Sequence, residues 1–194
     1  VVSCNPINDI RIDTVGPPFK GNQVRIADDG EILVKGENVM LGYWNNELET
    51  NKSIKDGWLY TGDIGHIDNG YLKITDRKKD ILITPGGENI SPVKIENDLI
   101  KIDFIEQALV YGDNKPFLVA LIVLNSNQKD ISYEMIKEKI EKMNEKLSKI
   151  EKIKKFFVID NQFSIENGFM TPTLKLKRYK IIQEFKKDFE KLYN

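Results

Sequence analysis

Thr75-Asp76-Arg77-Lys78-Lys79-Asp80-Ile81-Leu82-Ile83-Thr84-Pro85-Gly86-Gly87, residues 75–87, separates two kinds of sequence and so decides the fold. Asp76 to Asp80 is an unbroken charged run. A solvated surface loop reads this way, and so does a domain boundary, because few contacts cross one. Ile81 to Thr84 then reads as a short strand, and Pro85-Gly86-Gly87 interrupts regular structure. The cut is placed at Asp76, giving segments 1–76 and 77–194.

Upstream of the cut the sequence reads as strands and turns. Gln23 to Ile26 and Glu31 to Val34 flank Ala27-Asp28-Asp29-Gly30, whose Asp-Gly supplies the positive φ that a tight hairpin needs. Tyr71 to Thr75 alternates apolar and polar positions after the turn Asp68-Asn69-Gly70, which makes Ile64 to Ile67 its hairpin partner. Downstream, Ser91-Pro92 is a helix start, with Ser at the N-cap and Pro at the first helical position, and the helix is expected to run to about Ile100. Ala108 to Tyr111 and Phe117 to Leu124 are strands, the second apolar throughout as a buried strand is. Ile136, Ile140, Met143, Leu147 and Ile150 recur at spacings of three and four, predicting an amphipathic helix from Tyr133 to Ile150. Phe156 to Ile159 is a strand, and Ile182, Phe185, Phe189 and Leu192 stripe a last helix. The expected class is α+β: a β-rich first segment, then a small mixed sheet with helices on one face.

The 194 residues carry 29 Lys and Arg against 30 Asp and Glu, a formal net charge of −1, so nothing global points to nucleic acid. A single cysteine, Cys4, cannot form an internal disulfide, which favours a reducing, cytoplasmic setting. One histidine, His66, and no Cys/His cluster leave no metal site to name. The longest apolar run is too short to span a bilayer, and no signal peptide is visible. The opening at Val1, without an initiator Met, reads as a cut inside a longer protein.

Four motifs could carry chemistry. Tyr60-Thr61-Gly62-Asp63 sets a carboxylate on a glycine turn, able to accept from two adjacent hydroxyls such as those of a ribose. Alone it is ordinary turn chemistry. In the charged run, Arg77 offers a rigid donor fork suited to phosphate or ribose oxygens, though charged loops are common. Gly86-Gly87, in Ile83-Thr84-Pro85-Gly86-Gly87-Glu88-Asn89-Ile90, would let a backbone or a thin ligand approach closely. It could equally be a plain strand-to-helix connection, and it lacks the Gly-Lys-Ser/Thr ending of a P-loop. Met170-Thr171-Pro172-Thr173-Leu174-Lys175-Leu176-Lys177-Arg178 places lysines before a helix, where one could reach an anionic centre or simply sit on a basic helix start.

In order and spacing, together with Gly30-Glu31-Ile32-Leu33-Val34-Lys35-Gly36 and Val39-Met40-Leu41-Gly42-Tyr43-Trp44, these motifs resemble the adenylate-forming superfamily of acyl-CoA synthetases, luciferases and peptide-synthetase adenylation domains. Thr171 to Arg178 looks most like the long-chain fatty acyl-CoA synthetase branch. The resemblance implies a two-step ligase that uses ATP, Mg2+ and CoA. A fatty acid carboxylate attacks the α-phosphate of ATP, and the CoA thiol then displaces AMP. It implies that residues 1–76 end the large AMP-binding domain and that 77–194 form a mobile lid. It assigns Asp63 to the ribose hydroxyls, Arg77 to the nucleotide, Lys79 to the hinge, Gly86 and Gly87 to the pantetheine path, and Lys175 to charge stabilisation during adenylation. Leu174 stands where many members have Gly, and Lys177 is a second candidate for the lysine. The family's Pro-Lys phosphate loop and Tyr-Gly-x-Thr-Glu adenine motif are not in the sequence; both lie upstream in the family. The segment alone is therefore expected to be inactive. An acyl-AMP ligase that loads a carrier protein and a non-catalytic module that kept the fold are the rival readings. Peripheral membrane association of the parent is a further expectation.

Overall fold

The protein is described here from a computed structural model, covering residues 1–125 and 131–194. It divides into two compact units, Val1–Asp80 and Ile81–Asn194. This division falls four residues beyond the sequence cut because the charged run belongs to the first unit. Its first residues continue a strand, and a 3-10 turn, Lys78–Asp80, follows directly.

The first unit is an antiparallel sheet. Strands β1 (Gln23–Ile26) and β2 (Glu31–Lys35) form the expected hairpin. Gly30 closes it at φ +83°, its N–H donating to the Ala27 carbonyl at 2.9 Å. A short helix, α1 (Glu47–Ser53), leads into β3 (Ile54–Lys55) and the long β4 (Trp58–Asp68), which pairs with both β2 and β3. The last strand, β5 (Tyr71–Arg77), returns along β4 through Asn69 and Gly70 at φ 47° and 81°. Two positive φ values in a two-residue loop are the signature of a type I′ hairpin. Ile32, Val34 and Leu72 form the small core. The Arg25 guanidinium lies 4.7 Å from the Trp58 ring centroid, whereas Trp44 is 92% exposed.

The second unit begins with a hairpin, β6 (Leu82–Ile83) and β7 (Asn89–Ile90), then α2 (Pro92–Leu99). The Ser91 hydroxyl accepts from the Lys94 N–H, so Ser91-Pro92 starts the helix as expected. A three-stranded mixed sheet follows. β8 (Ile105–Tyr111) is antiparallel to β9 (Leu118–Leu124), and β10 (Ile153–Ile159) is parallel to β9. Helix α3 (Tyr133–Asn144) precedes β10, and α4 (Arg178–Glu184) and α5 (Lys186–Lys191) close the chain.

Helices cover both faces of this sheet, not one. Alternate residues of β9 enter different cores: Leu118, Ala120 and Ile122 join Ile95, Ile136 and Ile140, while Val119, Leu121 and Val123 join Ile181 and Phe189. A strand apolar at every position must be covered twice. Two helices also differ from expectation. α3 stops at Asn144, whose side-chain amide donates to the Ile153 carbonyl at 2.8 Å and accepts its N–H at 2.9 Å. That exchange mimics a strand pair and ties the helix end to the start of β10. Leu147 and Ile150 still pack on the core, from the turns that follow. The terminal helix is broken at Phe185, which lets its ring approach Phe157, Phe163 and Phe169.

Candidate nucleotide and acyl-transfer sites

Asp63 and Arg77 face each other across β4 and β5. Arg77 Nε donates to Asp63 Oδ1 at 2.7 Å, with side-chain exposures of 56% and 21%. The pair rests on an irregular stretch of β4. Gly62 adopts φ +72°, its N–H donates to Glu31 Oε1 at 2.8 Å, and the Thr61 hydroxyl donates to the Ile32 carbonyl at 2.7 Å while accepting the Asp63 N–H. The turn thus fixes the backbone of Asp63 and turns its carboxylate toward a half-exposed guanidinium.

Lys79 lies at the centre of the 3-10 turn that follows β5. Its neighbour Lys78 reaches back to Asp29 Oδ2 at 2.6 Å and Glu31 Oε2 at 2.7 Å. These bonds hold Asp29 below the usual carboxylate range, with the Lys78 hydrogen bond the main cause. They push the Lys78 ammonium up, the Asp29 bond first and the Glu31 bond next.

Gly86 and Gly87 occupy the β6–β7 turn. Gly87 N–H donates to the Thr84 carbonyl, Thr84 N–H to the Glu88 carbonyl, and Gly87 has φ +84°. The turn thus needs a left-handed residue at Gly87, a conformation that glycine adopts without strain. Gly86 is under no such demand: a Cβ there would meet only ordinary contacts, with the Thr84 hydroxyl at 3.6 Å and a Glu88 carboxylate oxygen at 3.7 Å. Its lack of a side chain has no cause inside this unit.

The Lys175 loop repeats that turn. Leu174 N–H donates to the Thr171 carbonyl, Thr171 N–H to the Lys175 carbonyl, and the Thr171 hydroxyl accepts the Lys175 N–H at 3.0 Å. Leu174 takes the place of Gly87, at φ +60°. This explains physically why glycine suits the position before the lysine. A non-glycine residue in the left-handed region costs about 1–2 kcal/mol, and Leu174 is 67% exposed, so little packing offsets that cost. Leu174→Gly is expected to raise stability by about 1 kcal/mol, read as a higher melting temperature. A melting temperature lowered instead would show that Leu174 makes contacts that outweigh the strain. Leu176 forms a bridge with Met170 and packs on the second core, so Lys175 and Lys177 flank it and both are exposed.

Sequence reasoning missed the burial of Glu31 and of Asp76, the latter 6% exposed within the charged run, and the partly buried Arg178–Glu96 pair. Glu31 is 3% exposed at the start of β2; the visible signal was an acid heading a run that is otherwise wholly apolar to Val34. Arg178, next to the Lys175 loop, grips both carboxylate oxygens of Glu96 on α2 at 2.6 and 2.7 Å, with side-chain exposures of 15% and 12%. Among the described residues no cluster of three acidic, histidine or cysteine side chains could hold a metal ion, and no helix is long and apolar enough to cross a membrane.

In chain order the second unit thus runs from a glycine hairpin through a mixed three-stranded sheet to a lysine loop before its last helices. Residues 79–194 match the family of AMP-binding enzyme C-terminal domains, and the chain belongs to that family. Among individual relatives, the whole chain aligns at 40% identity with the long-chain-fatty-acid–CoA ligase FadD15 of Mycobacterium tuberculosis, covering 36% of that protein. It aligns at 36% with long-chain-fatty-acid–CoA ligase 6 of Rattus norvegicus, over 93% of this chain and 31% of that one. The chain thus spans about a third of the length of these curated relatives. Among solved structures, the AMP complex of the Bacillus subtilis O-succinylbenzoate coenzyme A synthetase is similar at 33% identity and TM-score 0.69, over 88% of this chain and 35% of that one. The ATP-bound RpMatB–BxBclM chimera is similar at 27% and 0.80, over 95% and 38%.

Proposed function

We propose that the chain is the C-terminal portion of an ATP-dependent long-chain fatty acid:CoA ligase and acts only as part of that longer protein. The observation that carries this is the match of its full length to FadD15 at 40% identity. Residues 1–80 supply the end of the large nucleotide-binding domain, and 81–194 the lid. Asp63 accepts the two ribose hydroxyls, held in orientation by Arg77, which faces the nucleotide with its remaining donors. Lys175 brings a positive charge to the acyl carboxylate and α-phosphate, where negative charge crowds as the mixed anhydride forms. Gly86, bare for no reason internal to its unit, leaves a path for the pantetheine arm when the lid turns about Lys79 for thioester formation. Magnesium would accompany the ATP phosphates; among the described residues no cluster of three acidic, histidine or cysteine side chains could hold it.

A carrier-loading acyl-AMP ligase is less well supported. Such enzymes often carry an extra segment near the hinge. Here residues 63–87 are taken up by the end of β4, a two-residue turn, β5, the 3-10 turn, β6 and the turn that holds Gly86 and Gly87. A non-catalytic module has no use for an Asp63–Arg77 pair together with Lys175.

The test uses the full-length protein with ATP, CoA and a long-chain fatty acid, following pyrophosphate exchange and acyl-CoA formation separately. Asp63→Ala removes charge-assisted hydrogen bonds worth roughly 1.5–3 kcal/mol each, so KM for ATP should rise at least about tenfold. An unchanged ATP dependence would remove the ribose assignment. Failure of the unaltered protein to form any acyl-CoA would remove the ligase reading.

A further inference from the structure

Glu31 is a carboxylate that the expected chemistry does not use, yet its side chain is only 5% exposed. A buried carboxylate persists only where it is matched by donors. Glu31 has one on each oxygen: the Gly62 N–H at 2.8 Å and the Lys78 ammonium at 2.7 Å. Gly62 immediately precedes Asp63. Lys78 lies between Arg77, the partner of Asp63, and Lys79. One side chain on β2 therefore binds the Gly62 backbone in β4, next to Asp63, and the first residue of the 3-10 turn that follows Arg77. Asp29, at the β1–β2 turn, accepts a second bond from Lys78 and strengthens the hold.

We propose that Glu31 is a positioning residue, which sets the Asp63 carboxylate through Gly62 and, through Lys78, anchors the start of the 3-10 turn to β2, so that rotation of the lid is confined to the residues from Lys79 onward. The inference rests on the reading of Asp63 and Lys79 given above. The left-handed φ of Gly62 gives the 61–63 turn a conformation that ordinary strand pairing does not hold. Thr61 ties one side of that turn to Ile32, and Glu31 ties the other. Without Glu31, Asp63 loses half of its support. Without Lys78, the pivot spreads back into the end of β5.

Four variants of the full-length protein test this: Glu31→Ala, Glu31→Gln, Lys78→Gln and, as the reference, Asp63→Ala. Glu31→Ala should raise KM for ATP in pyrophosphate exchange roughly tenfold, the loss of one hydrogen bond to a charged group. Glu31→Gln keeps an oxygen for the Gly62 N–H and should recover most of that rise. Lys78→Gln should slow thioester formation from supplied acyl-AMP several-fold more than it slows pyrophosphate exchange. A purely structural role predicts a smaller active fraction, with KM unchanged and both half-reactions reduced alike; that result overturns the proposal. If Asp63→Ala raises KM and Glu31→Ala does not, the proposal fails while the ribose reading stands. If Asp63→Ala itself leaves KM unchanged, both fall.

Discussion

Lys175→Ala in the full-length protein should slow acyl-adenylate formation by about 10²–10³-fold, the usual cost of removing one donor from a developing negative charge. Thioester formation from supplied acyl-AMP should stay near the unaltered rate, because the lysine matters only in the pose that closes over ATP. The variant is a clean one. The Lys175 side chain is exposed, while its backbone N–H and carbonyl are both bound to Thr171. Alanine keeps those bonds and disturbs no packing. Lys177→Ala is the matched control: Lys177 is also exposed, lies on the far side of the half-buried Leu176, and its N–H donates to the Phe169 carbonyl at 2.8 Å. If Lys177→Ala shows the adenylation-specific loss and Lys175→Ala does not, the functional lysine is two positions on. If neither does, no lysine of this loop serves adenylation.

Arg178→Met should produce the largest loss of stability. Arg178 donates through Nη2 to both oxygens of Glu96 and through Nη1 to the Val110 carbonyl at 2.9 Å, while Val110 N–H donates to Glu96 Oε1 at 2.6 Å. The pair thereby clasps α2 and α4 to the same point on β8. Removing one partner of a buried ion pair costs about 3–5 kcal/mol, because the other is left without its counter-charge. Hydrogen exchange in the α2 and α4 amides of the full-length protein should quicken by more than about a hundredfold. The double variant Glu96→Met/Arg178→Met should regain part of this, since no lone charge remains. Exchange faster by less than about fivefold would mean that the pair is screened by water and holds little.

What could be read in the sequence was local. Asn69-Gly70, Asp29-Gly30 and Ser91-Pro92 act through their own φ angles and cap oxygens, so the hairpins and the start of α2 followed from a few adjacent residues. The order of Asp63, Arg77, Gly86-Gly87 and Lys175 was legible as a pattern, while the turn shared by the last two loops needed coordinates. The misses were interactions across long separations. Glu31 meets Gly62 and Lys78, 31 and 47 residues on, and Glu96 meets Arg178 after 82. In a chain that is 30% charged, only Glu31 carries a local mark, an acid heading an apolar run; nothing adjacent distinguishes Glu96, Arg178 or Lys78 from solvated residues. The second layer of helices was missed differently. The uniform apolarity of β9 implies two covered faces, which helices on one face alone do not provide. Asn144 ended α3 early by a side-chain exchange that no helical periodicity encodes.

The placement of the aromatic residues has an optical consequence. Both tryptophans of the chain, Trp44 and Trp58, lie in Val1–Asp80, whereas Ile81–Asn194 holds the packed rings of Phe157, Phe163, Phe185, Phe189, Tyr111 and Tyr193. Emission excited at the indole band therefore reports on the first unit alone, and Trp58 beneath Arg25 gives it a component sensitive to the folding of that sheet. The near-ultraviolet dichroism of fixed rings draws on both units, since the buried Tyr71 ring belongs to the first. Comparing the two signals on one sample thus separates the melting of the second unit from that of the first, without a label.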